Sequence, residues 1–279
     1  MGKMGRFTDM PVRVRFLGSS SSGNCALLET GQTRILVDCG LSGRTVVRLL
    51  GGVGLRPEDL DAVFLTHEHS DHSQGVRGLS KHDNLTYFAT ADTARAVQGG
   101  LSRQVSWTLF ESGRPFRFRD LEVHPFPIPH DAYDPVGFVF SVGEGRDLFD
   151  MRRTLAWMTD LGHVPPGVRE LVLRADVLVI ESNYEDELLE QDVRRSWNVK
   201  QRIRSRHGHL SNEDAIAFLA QNRTAANWSQ VFLGHLSRDC NCPVRLRERL
   251  AEAGLWGVPG LGIEILQPLA EGCMCSWEG

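Results

Sequence analysis

The stretch FLTHEHSDHSQG, residues 64 to 75, packs three histidines, a glutamate and an aspartate into six positions, His67 to His72, of a chain with only 10 histidines in 279 residues. It begins inside the apolar run DAVFLTH (61–67), which reads as a buried strand. In an extended segment His67 and His69 face the same way, because side chains alternate with period 2. If the chain then turns into a helix, Asp71 and His72 swing toward an adjacent point. H-x-H can then hold one metal while D-H holds a second beside it, and imidazole with carboxylate suits zinc, manganese or iron. A capped turn with surface histidines would account for one histidine; it does not account for this spacing directly after an apolar strand.

Similar strand endings recur along the chain. RILVDCG (34–40), TLAWMTDLG (154–162), ADVLVIESNY (175–184) and SQVFLGHLS (229–237) each read as a strand, with Asp38, Asp160, Glu181 and His235 at or near its C-terminal end. Polar groups at such ends face a common crevice in α/β folds. VRVRFLG (12–18), ALLET, LTYFAT (85–90), most of 105–149 and GIEILQP supply further strands. Helices are predicted at SGRTVVRLLGG with Ser42 as cap, ADTARAVQGG, NEDAIAFLAQNR with Ser211 as cap, and PVRLRERLAEAG. Two sets of strands, each with helices, imply one α/β domain with helices outside two packed sheets.

A 41% hydrophobic and 24% charged composition is that of a soluble globular chain, and a net charge of −4 means that any anion site must be local. The opening MGKMGRFTDMPV has no apolar h-region and no run reaches the ~18–20 apolar residues of a membrane span, so a cytoplasmic protein without membrane contact is expected. Among the six cysteines, the C-x-C pairs Cys240/Cys242 and Cys273/Cys275 could bind a soft metal, but all six read as free cytosolic thiols. His82, His124 and His163 have no partner spacing and read as bystanders.

Charge is patterned before the last third of the chain. Residues 185 to 192 hold five acids and no base; residues 193 to 212 hold six Lys/Arg and no acid. Such a basic run, including Arg202 and Arg204, could collect the phosphates of a polyanion, with Trp197 stacking on a base. A solvated helical face with a half-buried tryptophan is the competing reading. The small-residue loop GSSSSGN (18–24) could let a nucleic-acid backbone approach, with Ser20 or Asn24 bonding phosphate.

THEHSDHSQG resembles the signature of the metallo-β-lactamase superfamily, and PIPHDAYDP, WMTDLG and FLGHLS resemble its later motifs. The resemblance spans about residues 12 to 268. It implies a four-layer αβ/βα sandwich, two mixed β-sheets flanked by helices, with a dinuclear site at their shared edge. By resemblance His67, His69 and His130 hold one metal, Asp71, His72 and His235 the other, and Asp160 bridges; two divalent ions, Mn2+ or Zn2+, are implied, and Asp71 counts also as catalytic. GSSSSGNCALLE, LVDCGLSGR, PHDAYDPVGF, MTDLGHVP, GHLSNEDA and LGHLSRD narrow the resemblance to the YycJ/WalJ branch, which implies a metal-dependent nuclease with 5′-to-3′ DNA exonuclease activity and no inserted clamp domain. Departures are Tyr184 after ESN, Cys240 and Cys242 in place of common polar residues, and a turn lengthened by GRDLFDMRRT before Asp160.

The same resemblance marks His209, in HGHLSNEDA, as general acid or phosphate-oxygen clamp, with His207 sharing the work or standing beside it; a helix-capping histidine is the alternative. Asp38 and Glu181 are expected to brace histidines from behind, Glu181 through His209. The reading that follows is a nuclease acting on DNA, with an RNA-processing nuclease or a small-molecule hydrolase (lactone, thioester or cyclic phosphodiester) on the same metal site as alternatives.

Overall fold

Two seven-stranded sheets face each other in the computed structural model, which describes residues 12–143, 152–267 and 276–278. The first contains β1 (Arg13–Gly18), β2 (Cys25–Glu29), β3 (Arg34–Val37), β4 (Ala62–Phe64), β5 (Thr86–Ala89) and β6 (Ser106–Leu109). The second contains β7 (Phe116–Phe118), β8 (Leu121–Pro127), β9 (Val136–Val142), β10 (Arg153–Met158), β11 (Val177–Glu181), β12 (Gln230–Gly234) and β13 (Gly262–Ile265). A last strand, β14 (Ser276–Glu278), returns to pair antiparallel with β1, completing the order β14-β1-β2-β3-β4-β5-β6 opposite β13-β12-β11-β10-β9-β8-β7. Both sheets are mixed in the same way. β1 to β3 are antiparallel and β3 to β6 parallel; β7 to β10 are antiparallel and β10 to β13 parallel.

Period-2 alternation decides which face each residue takes. In β3 Ile35 and Val37 enter the layer between the sheets while Leu36 points to the outer face; in β11 Val177 and Val179 point inward and Leu178 and Ile180 outward. Stacked and edge-on rings fill the inner layer, with Phe64 against Phe88 at 4.4 Å and Phe16 against Phe232 at 4.7 Å between centroids. Over the first sheet lie α1 (Gly43–Gly52), α2 (Ser70–Ser73), α3 (Val76–Leu79) and α4 (Ala91–Gly99). The second sheet is accompanied by α5 (Pro166–Leu173), α6 (Asp186–Gln191), α7 (Trp197–Ile203), α8 (Asn212–Asn222) and α9 (Pro243–Glu252). Val46, Leu50, Val76 and Val97 complete one outer core; Val172, Leu219, Leu246 and Leu250 complete the other. The expected αβ/βα layering is therefore the observed one.

Ser42 and Ser211 cap α1 and α8, accepting from Thr45 N at 3.2 Å and Asp214 N at 3.0 Å, as their positions predict. The short helices α5, α6 and α7 have no counterpart in the sequence reading. Of the lengthened turn 145–154, only Arg152 to Thr154 are described, and Arg153 opens β10; residues 145–151, like Cys273 and Cys275, lie outside the described residues. No helix among the described residues is long and apolar enough to cross a membrane.

Candidate metal centre and its surroundings

β3, β4, β8, β10, β11 and β12 end at one edge of the sandwich, and the candidate residues stand at those ends. Asp38 follows β3; His67 lies three residues past β4; His130 follows β8; Asp160 lies two past β10; Glu181 closes β11; His235 follows β12. Three of them, Asp38, Asp160 and His235, have left-handed backbone, with φ of 58°, 60° and 56°. For L-residues that conformation is uncommon, and aspartate and histidine are among the types that tolerate it. The motif itself breaks as predicted: His69 caps α2, whose first turn carries Asp71 and His72. Gly40 makes this possible, since a Cβ there would overlap the Asp71 carbonyl oxygen.

Ligand-type atoms of His67, His69 and His130 lie within 4.8 Å of one another; so do those of Asp71, His72 and His235. Asp160 sits between the two groups, 3.1 Å from His72 Nε2, 3.4 Å from His235 Nε2 and 3.8 Å from His130 Nε2. Glu181, Asp160, His209 and His235 form a further such group. The atoms fit divalent cations on an internal observation: His67 Nε2 and Asp160 Oδ2 are buried and lack hydrogen-bond partners, and buried polar atoms are rarely left so.

The surroundings set each ring's charge. Burial, with His72 and His130 nearby, pushes His67 well below the usual histidine range, so it stays neutral. Burial would also lower His235, but Asp160, Asp71 and Glu181 outweigh it and carry it up to about 10. Glu181 would be raised by its burial, yet His209 and His235 hold it down to about 2. It accepts four hydrogen bonds: Oε1 from His209 Nδ1 at 2.9 Å and His235 Nδ1 at 2.6 Å, Oε2 from Leu161 N and Leu210 N, both at 3.0 Å. Asp38 accepts from His72 Nδ1 at 2.8 Å. Both carboxylates thus accept hydrogen bonds from histidine Nδ1 atoms. His130 Nδ1 donates to the Gly208 carbonyl at 3.1 Å, tying the His209 loop to the cluster.

Other expectations need correction. Asn24 is buried, and its amide bonds the Ser20 carbonyl at 3.0 Å and lies 3.1 Å from His72 Nε2; it closes the loop from inside and offers no free face to a nucleic-acid backbone. Ser20 is buried as well, its hydroxyl accepting from Ser22 N. The basic run is not a free cationic strip. Arg194 and Arg195 pair with Asp192 and Asp239, Arg204 with Asp186 at 2.9 Å and Glu190 at 2.8 Å, and Lys200 bonds the Glu190 carbonyl. Three of the preceding acids, Asp186, Glu190 and Asp192, are counter-ions of the bases that follow them, while Glu185 and Glu187 pair with Arg249 and Arg245. Arg202 pairs with Asp131, whose other oxygen is 3.5 Å from His130 Nε2, so this arginine reaches the cluster's rim. His207 and Trp197 are exposed.

His82 pairs with Glu58 at 2.7 Å, His124 lies on β8, and His163 bonds Arg206; none belongs to a metal-capable group among the described residues, nor do Cys240 and Cys242. Cys25, Cys39, Cys240 and Cys242 are free thiols. Sequence reasoning missed Thr66, Asp131 and Asn183. Asn183 Nδ2 donates to the His235 carbonyl at 2.7 Å. Adjacency to His67 and His130 was the available signal for the first two; nothing local marks Asn183.

Residues 33–235 match the family model described as a beta-lactamase superfamily domain. The chain is 34% identical to exodeoxyribonuclease WalJ of Streptococcus pneumoniae over 92% of its own length and 93% of that protein, and 33% identical to exodeoxyribonuclease YycJ of Bacillus anthracis over 83% and 85%. In structure it is similar to the metallo-beta-lactamase fold protein YhfI from Bacillus subtilis, at 19% identity and a TM-score of 0.68 over 96% of this chain and 100% of that one. With the paired mixed sheets and the histidine–aspartate cluster at their shared edge, these matches establish that the chain belongs to the beta-lactamase superfamily, in the branch of WalJ and YycJ.

Proposed function

We propose that this chain is a metal-dependent nuclease that hydrolyses phosphodiester bonds of DNA from a 5′ end, using two divalent cations, Mn2+ or Zn2+. The observation that carries the reading is the convergence of two histidine-containing triads on either side of Asp160, from strand ends up to 168 positions apart (His67 to His235). That the relatives covering most of the chain are named exodeoxyribonucleases supports DNA as the substrate.

On this reading His67, His69 and His130 would hold one cation and Asp71, His72 and His235 the other, with Asp160 available to both groups. Bound in such a site, divalent cations bring the pKa of water toward neutrality and offset charge on phosphate oxygens. With a cation in place of the Nε2 protons, Asp38 and Glu181 would hold the remaining Nδ1 protons of His72 and His235, so that each ring would bind as its neutral Nδ1–H tautomer. His209 donates a proton to the leaving oxygen. Its Nδ1 is held by Glu181, so the exchanged proton sits on Nε2; burial would lower this ring, but Glu181 raises it and favours the imidazolium. Such a donor contributes ~10²–10⁴ in rate. Arg202 meets a phosphate at the rim.

End-labelled duplex DNA incubated with the protein and Mn2+, beside an Asp71→Ala/His72→Ala variant, tests the proposal. Progressive shortening from the 5′ end, absent in the variant, is expected. Turnover of a lactone or thioester with no cleavage of any DNA or RNA would assign the site to small molecules.

A further inference from the structure

Asp38 and Glu181 each stand behind two histidines, but by different routes. Glu181 touches both of its rings directly. Asp38 touches only His72; the second route runs through Thr66. The Thr66 hydroxyl is buried, 3.0 Å from each Asp38 oxygen and 3.0 Å from His67 Nδ1, and the Thr66 backbone N–H donates to Asp38 Oδ1 at 2.8 Å.

Proton counting fixes the direction of this chain. A hydroxyl has one proton to give and lone pairs to receive, whereas a carboxylate only accepts. The Thr66 proton therefore goes to Asp38, and the Thr66 oxygen accepts from His67 Nδ1–H. With the proton that faces Thr66 on Nδ1, the atom His67 turns to the cluster is Nε2, the one a cation would take as a lone pair. That Nε2 is one of the two buried atoms in the cluster without a hydrogen-bond partner.

We infer that Thr66 is a positioning residue whose hydroxyl extends the reach of Asp38 to His67, so that one carboxylate fixes the tautomer of one ligand in each triad. This rests on the metal-binding reading above and gives it an internal asymmetry. Deleting the hydroxyl disturbs the His67/His69/His130 group and leaves the contact between Asp38 and His72 in place.

The test titrates the metal-stripped full-length chain with Zn2+ alone, by calorimetry, and reads the histidine tautomers by 15N NMR. Wild type is expected to show two sites and His67 protonated on Nδ1. Thr66→Val should weaken one site by roughly 10–100-fold, the loss typical of removing a group behind a metal ligand. It should leave the other site's affinity unchanged and His72 still protonated on Nδ1, since Asp38 at 2.8 Å holds that proton more closely than the Thr66 hydroxyl at 3.4 Å, and Thr66→Ser should restore both readings. Equal loss at both sites, no loss at either, or failure of serine to restore binding would overturn the inference. Should Thr66→Val not fold, the wild-type tautomer decides alone: His67 protonated on Nε2 refutes the relay. A wild-type chain that takes up no Zn2+ refutes the metal reading instead, and the His67 tautomer in that same sample still judges the relay separately.

Discussion

Replacing Glu181 with glutamine removes one charge and a single acceptor oxygen, yet the geometry makes it a severe change. Both histidine Nδ1 atoms converge on Oε1 and both backbone N–H groups, of Leu161 and Leu210, on Oε2. A glutamine oxygen can serve one pair only, and its NH2 then faces the other. If the NH2 faces the backbone, two buried N–H groups lose their acceptor, at about 1–3 kcal/mol each, or about 4 kcal/mol in sum. If it faces the rings, His235 must accept at Nδ1 and carry its proton on Nε2, the nitrogen 3.3 Å from Asp71 and 3.4 Å from Asp160. Either outcome is measurable. A loss of about 4 kcal/mol lowers Tm by roughly 10 °C in a protein of this size. The ring outcome spares Tm and weakens divalent-metal binding. Thermal melts and Zn2+ titration of Glu181→Gln therefore belong together. A variant that melts within about 2 °C of wild type and binds metal as tightly would refute the assignment of Glu181 as the joint between the sheet and both histidines.

Other expectations are more compact. Gly208→Ala should destabilise the protein by about 1–3 kcal/mol in urea unfolding, because a Cβ there would overlap the Ile203 carbonyl and shift the oxygen that His130 bonds; wild-type stability would contradict this. Arg202→Ala should lower DNA affinity, because Arg202, although paired with Asp131, stands at the cluster's rim, while Arg204→Ala, at a side chain held away by both Asp186 and Glu190, should leave affinity unchanged; equal effects would contradict this placement. Brief iodoacetamide treatment at pH 8 followed by peptide mapping should label Cys242 and spare Cys25 and Cys39, since burial pushes the Cys39 thiol up to about 12 and only thiolates react; labelled Cys39 in the native protein would contradict its burial.

The strand ends were readable because two local rules coincide there: apolar runs with period 2, and ligand-type side chains just past the last apolar residue. His67, Asp160, Glu181 and His235 follow from these rules alone. His130 does not, since PIPHDAYDP carries no periodic signal, and it came only through resemblance. The basic run was misjudged for a reason specific to charge. Its counter-ions Asp131 and Asp239 lie 71 and 44 positions from the arginines they meet, and even the nearby acids look unpaired when read along a line. Asn24 failed similarly. A polar residue in a small-residue loop looks solvent-facing, and only the packing of that loop against His72 turns it inward. The short helices α5 to α7 offer too few turns for periodicity to show.

The left-handed backbone at 38, 160 and 235 narrows the permissible alphabet at those corners more than cation chemistry alone would. Glutamate could replace aspartate as an oxygen donor anywhere that reach allows, but a longer side chain gains no help in adopting this twist. Asparagine and glycine would fit the twist, but glycine has no side-chain donor atom and asparagine only an uncharged amide oxygen. Variation at these three corners is thus caught between steric comfort and coordination, and a library screened for stability alone should drift toward glycine or asparagine at the same places where one screened for turnover returns aspartate and histidine.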